Sequence, residues 1–239
     1  MSATAQFSVF SKLLFERMEK DGFRKRSNSI TQKIQGIYPV RLTLYTNKLK
    51  GEDAIRQTYI IGQSFPEIDR IIYYLRNEYF SSKWVTGRIW LCTLMPTVAK
   101  TTGLPNMVSP NGYTHRIDDN IDIHLLAEEV YSNLKSYAYP FLTKYQSPLD
   151  IFCGLVSCEP ELKTWAVQGS DLFYLAFYLS NQEQEKAINF CKQKIFANRQ
   201  DENYRTSITQ EILGKVEDLK WSCDGKLLLP PIPAGTKLR

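Results

Sequence analysis

The chain has 239 residues, of which 43% are hydrophobic and 13% aromatic, so it can bury a substantial core as one large domain or two small ones. Its 30 basic and 25 acidic residues are mixed along most of the sequence, which excludes a largely disordered, highly charged chain. The net charge of +5 is concentrated, because residues 1–60 hold eleven lysines and arginines against five acidic residues. This asymmetry indicates an acidic partner, whether protein, nucleic acid or anionic lipid, and the alternative is an ordinary solvated basic surface.

The beginning of the chain is predicted to be an amphipathic helix over residues 4–21, because apolar residues recur there at three- or four-residue steps. The apolar stripe consists of Phe7, Phe10, Leu14 and Met18. Gly22 is the expected left-handed stop of this helix. The basic run Arg24-Lys25-Arg26 follows, and its position near the negative end of the helix dipole is a structural reason for part of the charge.

Alternation of apolar and polar residues then predicts an antiparallel sheet of about four strands, with the first helix covering one face. The first two strands form a hairpin around Gln35-Gly36. The four strand-like runs are Ile30 to Ile34, Val40 to Leu44, Thr58 to Ile61 and Arg88 to Met95. Between the last two runs, an early proline and spaced isoleucines predict a helix, although the tyrosines of residues 66–80 leave a strand open as the alternative.

The remainder of the chain is predicted to be a loop followed by helices. Residues 96–120 carry three prolines and an Asn-Gly turn, so we expect them to connect the two parts. Helices follow from residue 121, the first ending at Tyr139-Pro140, and residues 230–239 form a loose tail. The predicted fold is α+β, with a helix and sheet over residues 1–95 and an all-helical part over residues 121–229. This helical part packs on the sheet, which allows one continuous domain.

Cysteine usage and the hydropathy pattern indicate a cytoplasmic protein. The five cysteines are odd in number and scattered, as expected in a reducing compartment. The first residues lead directly into the amphipathic pattern and lack the apolar core of a secretory signal. The nearest candidate for a membrane span, Leu172 to Leu179, has eight apolar residues, far fewer than the required number of about 18. We therefore expect no membrane span.

Four short motifs, in this order, resemble a bacterial family that is known only as a domain of unknown function. They are Asp21-Gly22-Phe23-Arg24-Lys25-Arg26, Phe65-Pro66-Glu67-Ile68, Arg88-Ile89-Trp90-Leu91 and Tyr137-Ala138-Tyr139-Pro140-Phe141-Leu142. The resemblance covers residues 7–200. Some members of that family look like immunity or toxin-neighbour proteins, so the resemblance implies a bacterial cytosolic α+β protein that binds another protein. It implies no catalytic residues, because the family has no agreed activity.

Motifs that carry catalysis are missing from the sequence. It contains no Gly-x-Ser-x-Gly elbow, no Walker loop and no dinucleotide-binding fingerprint. Two histidines and scattered cysteines make a poor metal set. We predict no catalytic residue, no cofactor and no metal. The alternative is an enzyme with its site near His115, Asp119 and His124, although a solvent-exposed loop and a solvated helix start account for the same residues.

The residues predicted to bind a partner combine the basic charge with nearby tyrosines, as in protein hot spots and in stacking platforms for single-stranded nucleic acid. They are Arg24, Lys25, Arg26, Arg41, Tyr45, Lys48, Lys50, Arg56 and Tyr59. Cross-strand packing is the alternative role of the tyrosines. No nucleic-acid-binding motif accompanies the charge, so we favour an acidic protein partner. We expect a non-enzymatic protein-binding module resembling an immunity or toxin-neutralising protein, with nucleic-acid binding as the first alternative and an enzyme as the second.

Overall fold

The structure, a computed structural model, describes residues 1–63, 65–76, 87–90, 114–159, 162, 170–200 and 208–229. Its first element is helix α1, Ala3–Glu19, in which the Ser2 hydroxyl caps the helix by accepting a hydrogen bond from the Ala5 amide at 3.3 Å. The apolar stripe of α1 is buried, with Phe10, Leu14 and Met18 each 0% exposed. The predicted left-handed stop is present, because Gly22 has a φ of +84°.

The sheet that follows is antiparallel and has six strands in the order β1-β2-β3-β4-β5, with β6 pairing with a second stretch of β4. The strands are β1 Arg24–Ser27, β2 Ile30–Gln35, β3 Tyr38–Lys48, β4 Ile55–Gln63, β5 Gly87–Trp90 and β6 Thr114–Ile117. The α+β prediction is therefore confirmed, and each of the four predicted strands contributes to the sheet. Residues 91–95 of the fourth run lie outside the described residues.

Two of the six strands fall where the sequence predicted none. Strand β1 is the basic run itself, and its four residues contain no apolar side chain that could signal a strand. Strand β6 falls within the predicted loop 96–120, so the last part of that loop belongs to the sheet. Residues 96–113 of the loop lie outside the described part of the chain.

The two faces of the sheet differ because side chains alternate along each strand. Val40, Leu42 and Leu44 of β3 point inward, as do Ile55 and Tyr59 of β4, and all five are buried in the main core. Helix α1 covers this inner face and packs against helix α3, Ile123–Asn133. Arg41 and Thr43 of β3 and Arg56 of β4, which alternate with inward-pointing residues, therefore point to the other side, which we call the outer face.

Helix α2, Pro66–Leu75, resolves the alternative left open for residues 66–80. Its buried residues Ile68, Ile71 and Leu75 keep the helical spacing, and they pack toward helix α6, Ser170–Ser180. The Lys215 ammonium donates a hydrogen bond to the last carbonyl of this helix at 3.0 Å. Residues 77–80 lie outside the described residues.

The predicted end of the next helix at Tyr139-Pro140 is wrong. After α3 the chain continues through one π-helical turn, Leu134–Ala138, into helix α4, Tyr139–Lys144. The Tyr139 amide donates to the Leu134 carbonyl, five residues back, and Pro140 occupies the first turn of α4, where a missing amide hydrogen is tolerated. The wider turn thus lets the helix pass the proline.

The helical part continues to residue 217 and is followed by a hairpin that the sequence pattern did not predict. The helices are α5 Pro148–Val156, α6, α7 Gln184–Gln200 and α8 Gln210–Glu217, and the hairpin strands are β7 Lys220–Trp221 and β8 Leu227–Leu228. Helices α6 and α7 join at a turn in which Gln182 has a φ of +62°. None of the helices described is both long and apolar enough to cross a bilayer. The predicted tail 230–239 lies outside the described residues.

Candidate protein-binding surface

Backbone register brings arginines from distant parts of the chain together on the outer face. Arg24 of β1 is paired with Gln32 of β2, which is paired with Arg41 of β3. The Arg41 guanidinium donates to the Gln32 side-chain oxygen, at 3.3 Å from Nε and 3.0 Å from the terminal nitrogen. The glutamine therefore separates two arginines that would otherwise be lateral neighbours. We call Arg24, Arg26 and Arg41 the arginine cluster.

The pKa of Arg41 reports the environment inside the arginine cluster. Partial burial lowers this pKa most, the charge of Arg26 lowers it further, and the carboxylate of Asp69 acts in the opposite direction. Arg26 thus lies close enough to repel Arg41, since like charges disfavour each other's charged form. A partner that supplied carboxylates here would relieve this repulsion.

A second pair of arginines lies further along the outer face. Arg56 of β4 is paired with Asn47 of β3 on one side and with Arg116 of β6 on the other. Arg116 is neutralised, because Glu52 and Asp118 accept from its guanidinium at 2.6 and 2.7 Å. The Asp118 carboxylate correspondingly has a lowered pKa. Arg56 remains exposed and carries the available charge of this pair.

Most of the predicted cations share one property: they form no ion pair within the described residues. This applies to Arg24, Lys25, Arg26, Lys48, Lys50 and Arg56, all of which are exposed. In the helical part, some lysines are paired with acids, among them Lys144 with Glu159 at 2.5 Å and Lys194 with Asp171 at 2.8 Å. Arg24, Lys25 and Arg26 thus concentrate basic charge on the edge strand β1, and Arg56 adds to it on the outer face. Lys48 is paired with the inward-pointing Ile55, and Lys50 lies beyond the end of β3.

The helix dipole does not account for the basic run. Helix α1 ends at Glu19 with Lys20 as its C-cap, and the basic residue in its last turn is Arg17. Arg24-Lys25-Arg26 lies in strand β1, beyond the stop at Gly22, and dipole effects fade within the last turn. The structural explanation that the sequence suggested for these cations is therefore withdrawn.

Tyr59 has to be removed from the predicted partner-binding residues. Its side chain is 0% exposed and lies on the inner face, where its ring packs edge-on against Phe10 at 6.2 Å. Its hydroxyl shares a hydrogen bond with His115 Nδ1 at 2.9 Å. The alternation of the strand turns Tyr59 away from the surface that carries Arg56, since successive side chains point to opposite faces. The backbone of Tyr45 is paired with Thr58.

His115 is also placed differently from the expectation of a solvent-exposed loop histidine. It lies in β6 with its side chain 16% exposed, and its Nε2 is 3.5 Å from a carboxylate oxygen of Glu129 on α3. Burial lowers the pKa of His115 more than the neighbouring Glu129 raises it. The ring therefore joins the sheet to α3 as a largely buried polar link.

Of the three residues of the enzyme alternative, Asp119 alone lines the cavity that the described residues form near the start of the chain. His124 is exposed in the first turn of α3, where its amide donates to the capping carboxylate of Asp122 at 2.9 Å. A cavity of about 470 Å³ near the chain's first residues is lined by Asp119, together with Arg116 and Asp118, but by neither histidine. Across the described ranges, no group of three histidine, cysteine or acidic residues could hold a metal.

Arg116 is the surface residue that the sequence reasoning missed. Arg116 falls within the predicted loop 96–120, although Thr114 to Ile117 alternates polar and apolar residues and follows the Asn111-Gly112 turn signal. A run of four residues is too short to establish a strand from its pattern alone. The sequence therefore carries only a weak signal for strand β6.

Comparisons with known proteins add no identification. No protein-family model, no curated protein and no solved structure matches this chain. The resemblance to the bacterial family of unknown function stays a prediction.

Proposed function

We propose that this protein is a non-enzymatic, cytosolic protein-binding module whose arginine cluster and Arg56 bind an acidic surface of a partner protein. The mode of action we infer is that of an immunity protein, which neutralises a toxin by covering its surface. The observation that supports it is the set of exposed cations, Arg24, Lys25 and Arg26 of β1 and Arg56 of the outer face, that form no ion pair within the described residues. Arginine is enriched in protein hot spots because its planar guanidinium can bind a carboxylate through two hydrogen bonds.

Stability alone does not explain why these cations stand together. Burial lowers the pKa of Arg41 most, and the charge of Arg26 lowers it further, so these like charges repel each other across the intervening strand β2. An acidic partner removes this penalty on binding and steers association through long-range attraction. The placement of charge therefore favours a role in recognition.

The cysteines support the cytosolic part of the proposal. Cys153, Cys158, Cys191 and Cys223 are all free thiols, and Cys191 is fully buried in the core. Burial raises the pKa of the Cys191 thiol to about 12, so this sulfur remains protonated and behaves as a small apolar side chain. Free thiols of this kind are typical of a reducing compartment.

Charge reversal with a matched control tests the proposal. The test variant is Arg24→Glu/Arg26→Glu/Arg56→Glu, and all three residues are exposed. The control is Lys192→Glu/Arg199→Glu/Lys220→Glu, which has the same net charge but changes exposed cations of the helical part and the hairpin. The wild type, purified from its native host at moderate salt, should retain one stoichiometric partner. The test variant should lose that partner and the control should keep it.

Two results would contradict the proposal: no stoichiometric partner with the wild type, or a partner that both variants retain equally. Circular dichroism and urea denaturation of both variants must first show native folding. A single-stranded oligonucleotide of mixed sequence provides the nucleic-acid arm of the experiment. Binding at about 50 mM salt, with affinity that falls steeply as salt rises, would favour nucleic acid instead. Burial of Tyr59 already removes one of the aromatic residues predicted to stack on bases.

A further inference from the structure

Strand β1 is an open edge of the sheet. Within the part of the chain that the structure describes, β1 pairs with β2 alone, and all four of its residues are exposed. An open edge presents backbone amide and carbonyl groups that can pair with another strand. Such an edge is a preformed site for β-strand addition.

The position of β1 is fixed by the residue that precedes it. Phe23 is 1% exposed, and its ring stacks on that of Tyr139 at 6.0 Å. The Lys33 ammonium lies 4.9 Å from the centroids of both rings, and the Phe23 amide donates to the Met18 carbonyl at 3.2 Å. The edge is therefore held in an extended conformation before any partner arrives, which lowers the entropic cost of pairing.

The charges of β1 select its partner strand. Arg24 lies on the outer face, because it is paired with Gln32, whereas Lys25 is paired with Thr31 on the opposite side. The register shifts between Lys25 and Ser27, so Arg26 stands at a bulge, from which its charge acts on Arg41. Two copies of this edge would repel each other, since like charges would stand opposite one another. An acidic strand would instead place carboxylates on the outer face, opposite Arg24 and near the bulge at Arg26, because side chains on one face recur at every second residue.

We propose that the acidic partner contributes an extended segment that pairs with β1 as an added strand, with acidic residues at alternate positions on the outer face, near Arg24 and Arg26. This inference rests on the proposed function and makes it more specific. Backbone hydrogen bonds to the edge would supply affinity, and the alternating carboxylates would supply selectivity. The cations of the arginine cluster and the unpaired edge are adjacent, so one segment can engage both.

Three peptides of equal charge test the inference against the full-length protein. The first alternates glutamate and threonine over seven residues, the second has the same sequence with all internal amides N-methylated, and the third contains the glutamates as one block. Calorimetry measures the affinity of each peptide. Amide chemical shifts and hydrogen exchange of residues 24–27 identify the strand that is contacted. The charge-reversed variant Arg24→Glu/Arg26→Glu/Arg56→Glu serves as the negative control.

We expect the alternating peptide to bind and to protect amides of β1, and N-methylation to weaken it by about tenfold, the effect of losing one or two backbone hydrogen bonds. Equal binding of the methylated or the block peptide would overturn strand addition and leave recognition of acidic surfaces intact. If no acidic peptide bound, or if the charge-reversed variant bound equally well, both the inference and the proposed function would be wrong.

Discussion

Asp21 holds the segment before β1 in place, and its replacement should destabilise the protein. Its Oδ2 accepts hydrogen bonds from the hydroxyls of Tyr131 and Tyr139, each at 2.9 Å. Burial, reinforced by the hydrogen bond to Asp21, raises the pKa of Tyr139 well above its usual value, so this hydroxyl remains a donor at neutral pH. Asp21 thus joins the end of α1 to α3 and α4, one residue before the turn that leads into β1.

The cost of removing Asp21 follows from these two bonds. A hydrogen bond to a charged acceptor contributes about 1.5–3 kcal/mol, but the two bonds share one oxygen and Tyr131 can turn toward water. We therefore expect Asp21→Ala to lower the free energy of unfolding by about 2–4 kcal/mol, and Asp21→Asn, which keeps an acceptor, by about half as much. Urea denaturation followed by fluorescence measures both. Glu16→Ala is the matched control in α1: its exposed carboxylate is 3.9 Å from Lys12, and its loss should cost less than about 0.5 kcal/mol.

A double-mutant cycle shows whether the loss comes from these contacts. Asp21→Ala and Tyr139→Phe should couple by about 1–2 kcal/mol, because they remove the two ends of one hydrogen bond. An Asp21→Ala variant as stable as the Glu16→Ala control would refute the reasoning, as would additive effects in the cycle. In either case the position of β1 would depend on the contacts of Phe23 with Met18, Lys33 and Tyr139.

Three further predictions concern stability. The lowered pKa of His115 means that the unfolded chain binds a proton first, so stability should fall as the pH drops below about 6.5, by at most about 1.4 kcal/mol per pH unit. Urea denaturation across this range should show that His115→Gln loses this dependence and that His124→Gln, an exposed control, keeps it. Gly22→Ala forces a Cβ into a φ of +84° and should cost about 1 kcal/mol or more in thermal unfolding. Gly154→Ala places its Cβ 2.7 Å from Leu162 and should cost about 1–3 kcal/mol, whereas Gly214→Ala meets open space and should stabilise by up to about 1 kcal/mol.

The elements predicted from the sequence are those whose periodicity extends over several residues. Helix α1 and the β2–β3 hairpin each contain at least three apolar residues at regular spacing, and glycines with positive φ, Gly22 and Gly36, mark their ends. Strands β1 and β6 have only four residues each, so their pattern does not separate them from loop. The helix end predicted at Tyr139-Pro140 is wrong because a single π-helical turn accommodates the proline within a continuous helix.

The candidate surface could be predicted in part for a similar reason. The basic residues can be identified from the sequence alone, because the charge of a side chain does not depend on how the strands pair. Tyr59 lies in the run Thr58 to Ile61, which contains consecutive apolar and aromatic residues, so the sequence does not indicate which of them points inward. Only the pairing of β4 with β3, which aligns Tyr59 with the buried Leu44, assigns it to the core. The burial of His115 likewise follows from strand pairing, because β6, which contains it, pairs with β4.

Pairing also changes the meaning of the basic run. As a segment after a helix, Arg24-Lys25-Arg26 has a structural explanation for part of its charge in the helix dipole. As an edge strand, it lies beyond the reach of that dipole, repels Arg41 and forms no ion pair within the described residues. Charged edge strands commonly prevent aggregation. An edge strand that had only to prevent self-association would not need a third arginine, Arg41, aligned with it on β3. The aligned Arg41 favours recognition, because it extends the positive surface in the direction that a bound acidic chain would cover.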